Sequence, residues 1–216
     1  MQVLSVNRGT ELAIANGKRT GTSGIDKIPT TQRIAVRTMG LVGDVIVDTE
    51  NHGGVDQAVY LYGTNDYAWW SKHLGKTLPP GTFGENLTIS HLSSASYNIG
   101  DRFAIGDLLL EVTAPRIPCE TLNARMNDAQ FVRTFRTAER PGLYCRVLIP
   151  GFVQVGAAVL YLPVLQPIVT IIEAFRFYFE RERHDLPTLR RFLAAPIDIR
   201  SRTELSIEYE TLTRAQ

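Results

Sequence analysis

Cys119 lies in the turn Pro115-Arg116-Ile117-Pro118-Cys119-Glu120, which two prolines stiffen. Each proline fixes its own φ and pushes the residue before it away from helix. Arg116 stands three residues before the thiol. A nearby guanidinium favours thiolate, the form that ligates metals and attacks electrophiles. The competing reading is a small buried hydrophobe, the usual role of a free cysteine. Further candidates sit in glycine-marked turns. His52-Gly53-Gly54 permits close backbone approach to a ligand, and Phe83-Gly84-Glu85-Asn86-Leu87 sets a carboxylate beside an amide. Lys27, Arg116 and Arg125 supply positive charge, and glycine-rich turns expose N–H groups that cradle phosphate. A nucleophilic pair of Cys119 with His52 is compatible with the residue types alone. Each turn is also compatible with an ordinary corner of a β protein. The chain has no Walker motif, no GxGxxG after a strand and no HExxH.

The elements that must position these residues are mostly strands. Residues 108–112 are apolar and partly β-branched, which predicts a buried strand ending just before the proline turn. Similar short runs at 3–6, 34–36, 45–47, 59–62, 87–89, 102–105, 143–149 and 158–162 are punctuated by glycine. Residues 18–27 read as a polar, glycine-rich loop. Residues 66–74 read as the one helix of this region, with Tyr67, Trp70 and Leu74 at helical spacing. Many short strands with one helix predict a mainly β fold, a closed or nearly closed barrel over residues 1–163. After Pro163 and Pro167 the pattern turns helical. Ile171, Phe175 and Phe179 share a face, Asp185 can cap a second helix with Pro187 in its first turn, and 203–212 forms a weaker third. Three short helices are marginal alone. Residues 164–216 are therefore expected to form a small three-helix domain packed on the barrel, with stability, lid or association roles.

Composition narrows the class. The chain has 216 residues, 44% of them hydrophobic, enough for a core without staples. A net charge of +1 argues against bulk nucleic-acid or acidic-membrane binding. Cys119 and Cys145 make no disulfide framework. No apolar run approaches a membrane span, and the start of the chain lacks a signal-peptide pattern, so cytoplasmic residence is the expectation.

An ordered set of motifs then resembles one family. Asp44, His52-Gly53-Gly54, Gly84-Glu85-Asn86-Leu87, Gly100-Asp101 and Pro115-Arg116-Ile117-Pro118-Cys119 fall in the order and approximate spacing of the MOSC domain, named for the C-terminal domain of molybdenum cofactor sulfurases. The bacterial members of the YiiM type are the most similar, through Thr22-Ser23-Gly24-Ile25-Asp26-Lys27 and the helical tail. The resemblance implies a β-barrel fold and the pterin-based molybdenum cofactor (molybdopterin), with Cys119 as molybdenum ligand or sulfur carrier and Arg116 its cationic neighbour. It places His52, Glu85 and Asn86 along the pocket and Lys27 near the cofactor phosphate. It implies reduction of N-hydroxylated compounds, such as N-hydroxylated purine bases, to amines, with Glu85 or His52 delivering a proton. The alternative is a sulfur or cofactor carrier with a persulfide on Cys119; a third reading is a barrel that has lost the cofactor.

The chain departs from the common pattern at Gln57, where a basic residue is frequent, and at Leu143, where an aromatic one is. Cys145 lies outside the motif and reads as packing. Pyridoxal phosphate is not expected. Nor is there a dinucleotide fingerprint, cysteines enough for a Cys₄ iron–sulfur cluster, or a c-type haem motif. The expected partners are a small N-hydroxylated substrate and an external electron-donating reductase, with a homodimer left open.

Overall fold

The strand before the proline turn runs through the middle of a large sheet, and that position explains its composition. Strands buried on both faces read as continuous apolar runs, and Leu108, Leu110, Val112 and Ala114 are buried together with Glu111 and Thr113. The computed structural model describes residues 1–16, 19–50, 52–180 and 185–215. In chain order its strands and helices are β1 (Val3–Gly9), β2 (Leu12–Asn16), β3 (Arg19–Ser23), β4 (Lys27–Thr30), β5 (Ile34–Arg37), β6 (Gly40–Leu41), β7 (Val59–Gly63), α1 (Thr64–Leu74), β8 (Leu87–Ile89), β9 (Arg102–Ile105) and β10 (Leu108–Ala114). There follow α2 (Glu120–Met126), α3 (Phe131–Ala138), β11 (Leu143–Ile149), β12 (Gly151–Val153), β13 (Leu160–Leu162), α4 (Ile171–Tyr178), α5 (Leu186–Ala194) and α6 (Ile199–Arg214).

Eight strands form one sheet in the order β13-β9-β10-β11-β7-β8-β1-β4. All neighbours are antiparallel except β7 and β8, which are parallel through the crossover containing α1. The expected closed barrel is not formed: β13 and β4 are the two ends of the sheet and do not pair with each other. Backbone bonds between residues 1–3 and 156–159 draw the start of the chain towards the β13 side without joining the edges, as in Val3 N–H to Ala157 O at 2.9 Å and Val159 N–H to Met1 O at 2.9 Å. Small companion sheets, β12-β5-β6 and β2-β3, flank the large one.

Three local readings are corrected. Part of the expected 18–27 loop is strand, because 19–23 pairs with 12–16 as a hairpin; Lys18 lies outside the described residues. The expected strand at 45–47 has no ladder, and its residues line a cavity instead. Two helices, α2 and α3, follow the proline turn where none was expected. Phe131 and Phe135, one helical turn apart, are both buried against Trp70.

The three C-terminal helices form where expected. Thr170 and Glu173 make a capping box on α4, Asp185 caps α5, and Asp198 caps an α6 that starts earlier than the pattern at 203–212 had indicated. They do not stand apart as a three-helix domain with its own core. Ile171, Leu189, Phe192 and Leu205 belong to the same apolar cluster as Val112, Leu143 and Cys145 of the sheet. Phe175 joins the aromatic cluster of Tyr60, Tyr62, Trp70 and Phe83. The fold is thus mixed α/β, a large open sheet with six α-helices among the described residues.

Candidate functional site

β10 ends at Ala114, and the two prolines carry the chain as an extended turn to Cys119, the N-cap of α2. Arg116 is drawn inward from that turn. It is buried, donates to the Phe83 carbonyl, and has its guanidinium 5.3 Å from the centre of the Tyr60 ring. Its Nε has no hydrogen-bond partner. Cys119 stays half-buried, with Sγ 3.7 Å from His52 Nε2. Burial alone would raise the thiol pKa. The His52 contact, the Arg116 charge and a hydrogen bond from Thr121 outweigh it and bring the thiol down to about 6. The balance favours the thiolate at neutral pH.

The His52 loop reaches the thiol because Gly53 and Gly54 both adopt positive φ, 70° and 86°, which side chains rarely tolerate. Opposite it, Gly24 lies so close to β-free segment 45–47 that a Cβ would fall 2.0 Å from the Val45 carbonyl oxygen. The segments 22–27 and 44–48 are thereby pressed together. With Asn86, Arg116 and Tyr60 they enclose an inner cavity of about 110 Å³ that ends at Cys119.

Lys27 and Asn86 both line this cavity, as the sequence reading required, but each is committed to Asp44. Lys27 Nζ lies 2.5 and 2.6 Å from the Asp44 carboxylate oxygens, and both side chains are almost wholly buried. Asn86 Nδ2 donates to Asp44 Oδ2 at 2.8 Å, and Gly9 N–H donates to Oδ1 at 2.7 Å. Burial lowers the Lys27 pKa, and the adjacent Asp44 charge opposes that shift. Lys27 is paired with Asp44, and Arg116 is the other lysine or arginine side chain among the described residues lining this cavity. Asp44 was legible only as a motif residue. Its role as the common acceptor for a lysine, an amide and a backbone N–H needed the fold.

Glu85 is placed elsewhere. It is fully buried and lines neither cavity. Its Oε1 accepts from Tyr67 Oη at 2.6 Å, Gly81 N–H at 2.8 Å and Thr88 Oγ1 at 2.8 Å. Burial raises its pKa, and these bonds pull against the rise. It ties the 81–88 turn together beneath the site. Arg125 also misses the site and pairs with Asp26 at 3.0 Å. Leu143 is core, so that departure from the family pattern does not touch a cavity wall. Gln57, the other departure, lines both cavities, and its Oε1 is buried without a partner. Tyr144 also lines both and packs 4.9 Å from Tyr60.

A second, wider cleft of about 630 Å³ opens on the other side of Cys119. Its near wall is the proline turn; its far wall is the helical tail, through Phe177, Phe192, Arg200 and Leu205. The tail carries no motif residue, yet it builds half of the space in front of the thiol. Cys119, His52, Gln57 and Tyr144 border both cavities. Among the described residues no three or more histidine, cysteine or carboxylate side chains cluster as a metal site, so a metal at Cys119 would need ligands from outside the chain. Cys145 is fully buried within β11, and burial pushes its thiol well up.

These two thiols should respond very differently to iodoacetamide. Modification of Cys119 should reach half its maximal rate near pH 6. Cys145 should react only after denaturant is added. Peptide mass spectrometry across pH checks both; a Cys119 profile centred near the ordinary value of 9.0 would mean that His52 and Arg116 do not act on it.

Comparison with known proteins adds the lineage. The chain is 35% identical to "Uncharacterized protein YflK" of Bacillus subtilis over 72% of its own length and 70% of that protein's. It is 29% identical to "Protein YiiM" of Escherichia coli over 62% of each chain. It is 36% identical to a protein named "Reductase" from Gibberella moniliformis over 54% of this chain but only 21% of that one. Among solved structures, YiiM from Geobacillus stearothermophilus superposes with a TM-score of 0.77, covering 96% of this chain and 98% of that one at 24% identity. No helix among the described residues is long and apolar enough to cross a membrane. Residues 48–160 match the MOSC domain, the segment that carries His52, Asn86, Arg116 and Cys119, and the chain belongs to the MOSC domain family.

Proposed function

We propose that this protein binds the pterin-based molybdenum cofactor at Cys119 and reduces N-hydroxylated compounds, such as N-hydroxylated purine bases, to amines. The observation that carries the reading is a low-pKa thiolate at the junction of two cavities, one small and cationic, one wide and open to the tail. Thiolate is a soft ligand suited to a metal already held by sulfur. The absence of a cluster of three or more protein donors among the described residues fits a group that brings most of its ligands with it. The buried, unpartnered Nε of Arg116 fits an anionic portion of that group in the inner cavity.

When bound, the cofactor supplies the two-electron redox chemistry. The rest falls to the chain's own side chains. Cys119 and Arg116 hold the group, and the Lys27–Asp44–Asn86 cluster fixes the wall behind it. Tyr144 and the tail enclose the substrate in the outer cleft. His52, beside the thiolate and facing that cleft, holds a proton at Nε2 for the departing oxygen. Glu85 is walled off from both cavities and is assigned no proton transfer. Converting an N-hydroxylamine to an amine and water takes two electrons and two protons. The electrons come from an external flavin or iron–sulfur reductase, and a reducing, cytoplasmic setting keeps Cys119 from being oxidised. The related "Reductase" is consistent with this class of chemistry.

The test is turnover by protein made in a host that synthesises the cofactor. With reduced viologen, the pure holoprotein should convert an N-hydroxylated purine to the amine. With NADH it should do so only after a reductase is added. Cyanide-releasable sulfur on Cys119 with no bound molybdenum and no turnover would replace this reading with a persulfide carrier.

A further inference from the structure

The helical tail is joined to the reacting centre by one side chain. Arg200, in the first turn of α6, donates to three carbonyl oxygens of the His52 loop: Thr49 at 3.2 Å, His52 at 3.4 Å and Gly53 at 3.3 Å. These acceptors flank the Cα of the residue whose ring touches Cys119. The base of α6 is itself fixed. Asp56, just past the loop, accepts the Ile199 N–H at 2.8 Å and pairs with Arg146 at 2.9 Å. Arg146 also donates to the Pro196 and Ile197 carbonyls, both at 3.1 Å. Thr113, at the end of β10, donates to the Asp56 carbonyl at 2.5 Å. A rigid frame of sheet and helix therefore presents Arg200, and Arg200 holds a loop that its paired glycines would otherwise leave free to move.

We infer that Arg200 is a positioning residue: through the carbonyls of Thr49, His52 and Gly53 it sets the His52 ring against Cys119 and so couples the C-terminal helices to the site. A planar guanidinium with five donors can satisfy several carbonyls at once, whereas alanine satisfies none and lysine brings a single ammonium. The inference goes beyond the proposed chemistry and needs only the observed His52–Cys119 contact, so it can be tested on protein without cofactor.

Arg202 provides the control. It sits on the same helix and also donates to carbonyls, Leu193 O at 2.8 Å and Ala195 O at 2.6 Å, but it does not reach the loop. The His52 amide is bonded to the Asp48 carbonyl at 3.1 Å, so its hydrogen exchange reports loop opening. Arg200→Ala should speed that exchange by about tenfold or more, as loss of the equivalent of one hydrogen bond would. Arg200→Lys should restore part of the protection, and Arg202→Ala should leave it unchanged. NMR of the His52 ring supplies the second readout. In the parent chain, Cys119→Ser should shift the ring resonances; in an Arg200→Ala background the same substitution should shift them much less. If Arg200→Ala leaves both readouts as they were, or if Arg202→Ala reproduces its effects, the tail is structural support only and the inference fails.

Discussion

Cys119→Ser should leave a fully folded protein that no longer retains molybdenum or turns over an N-hydroxylated substrate. The folding half of this expectation is local. Cys119 is the N-cap of α2 and makes no capping bond there. Serine is a favoured N-cap, worth up to about 1 kcal/mol over a residue that cannot accept from the first turn. The variant should therefore melt at or slightly above the parent temperature. The chemical half follows from what is removed. A hydroxyl beside His52 and Arg116 stays protonated across neutral pH and is a poor ligand for a soft metal centre. Turnover should fall to the level of a protein-free control. Cys145→Ser is the contrasting case, because its thiol is packed in β11 and faces no cavity. It should keep activity and lose stability, since a hydroxyl there has no partner.

The largest stability effect should come from Asp44→Asn. The carboxylate is the counter-ion of a lysine whose side chain is only 7% exposed, and it also accepts from Asn86 and Gly9. The amide is nearly isosteric, so the change removes charge with little change in packing. Breaking a buried ion pair from one side costs about 3–5 kcal/mol. For a chain of this size that is roughly a 10 °C fall in melting temperature. Lys27→Met combined with Asp44→Leu should recover part of the loss, because a buried pair replaced by apolar residues is often neutral. Urea denaturation of the single and double variants checks both. Equal stabilities for the parent and Asp44→Asn would show that Lys27 is solvated or paired elsewhere, and would reopen it as a direct anion contact.

The local signals in the sequence were strong where chemistry and backbone coincide. The proline turn, the paired glycines after His52 and the run into Cys119 depend on φ restrictions that single residues impose, so they could be read without the fold. Asp185 was likewise legible as a cap from its residue type ahead of Pro187, whereas the Thr170 cap emerged only with the fold. What could not be read was closure and partnership. Alternating short strands look alike whether the sheet's edges meet or not, and here the decisive fact is that β13 and β4 stay apart. Residues 45–47 have strand composition but join no ladder, and they form a cavity wall.

Long-range pairs account for the remaining differences at the site. Lys27 and Glu85 both looked like available charges. One is held by Asp44, 17 positions away, and the other is tied to Tyr67 beneath the cavities. Arg200 carried no signal at all, because its significance is its reach back across 147 positions to Gly53. The helices after Pro163 were expected as a small three-helix domain packed on the barrel, and their apolar residues share one core with the sheet.

Cys119 is proposed as the protein's own ligand to molybdenum. X-ray absorption at the molybdenum edge tests it most directly, on full-length protein made in a cofactor-competent host and on the Cys119→Ser variant loaded from the same source. The parent chain should hold near-stoichiometric molybdenum, with one sulfur neighbour more than any metal remaining in the variant. Equal molybdenum content and identical sulfur coordination in the two proteins would contradict it.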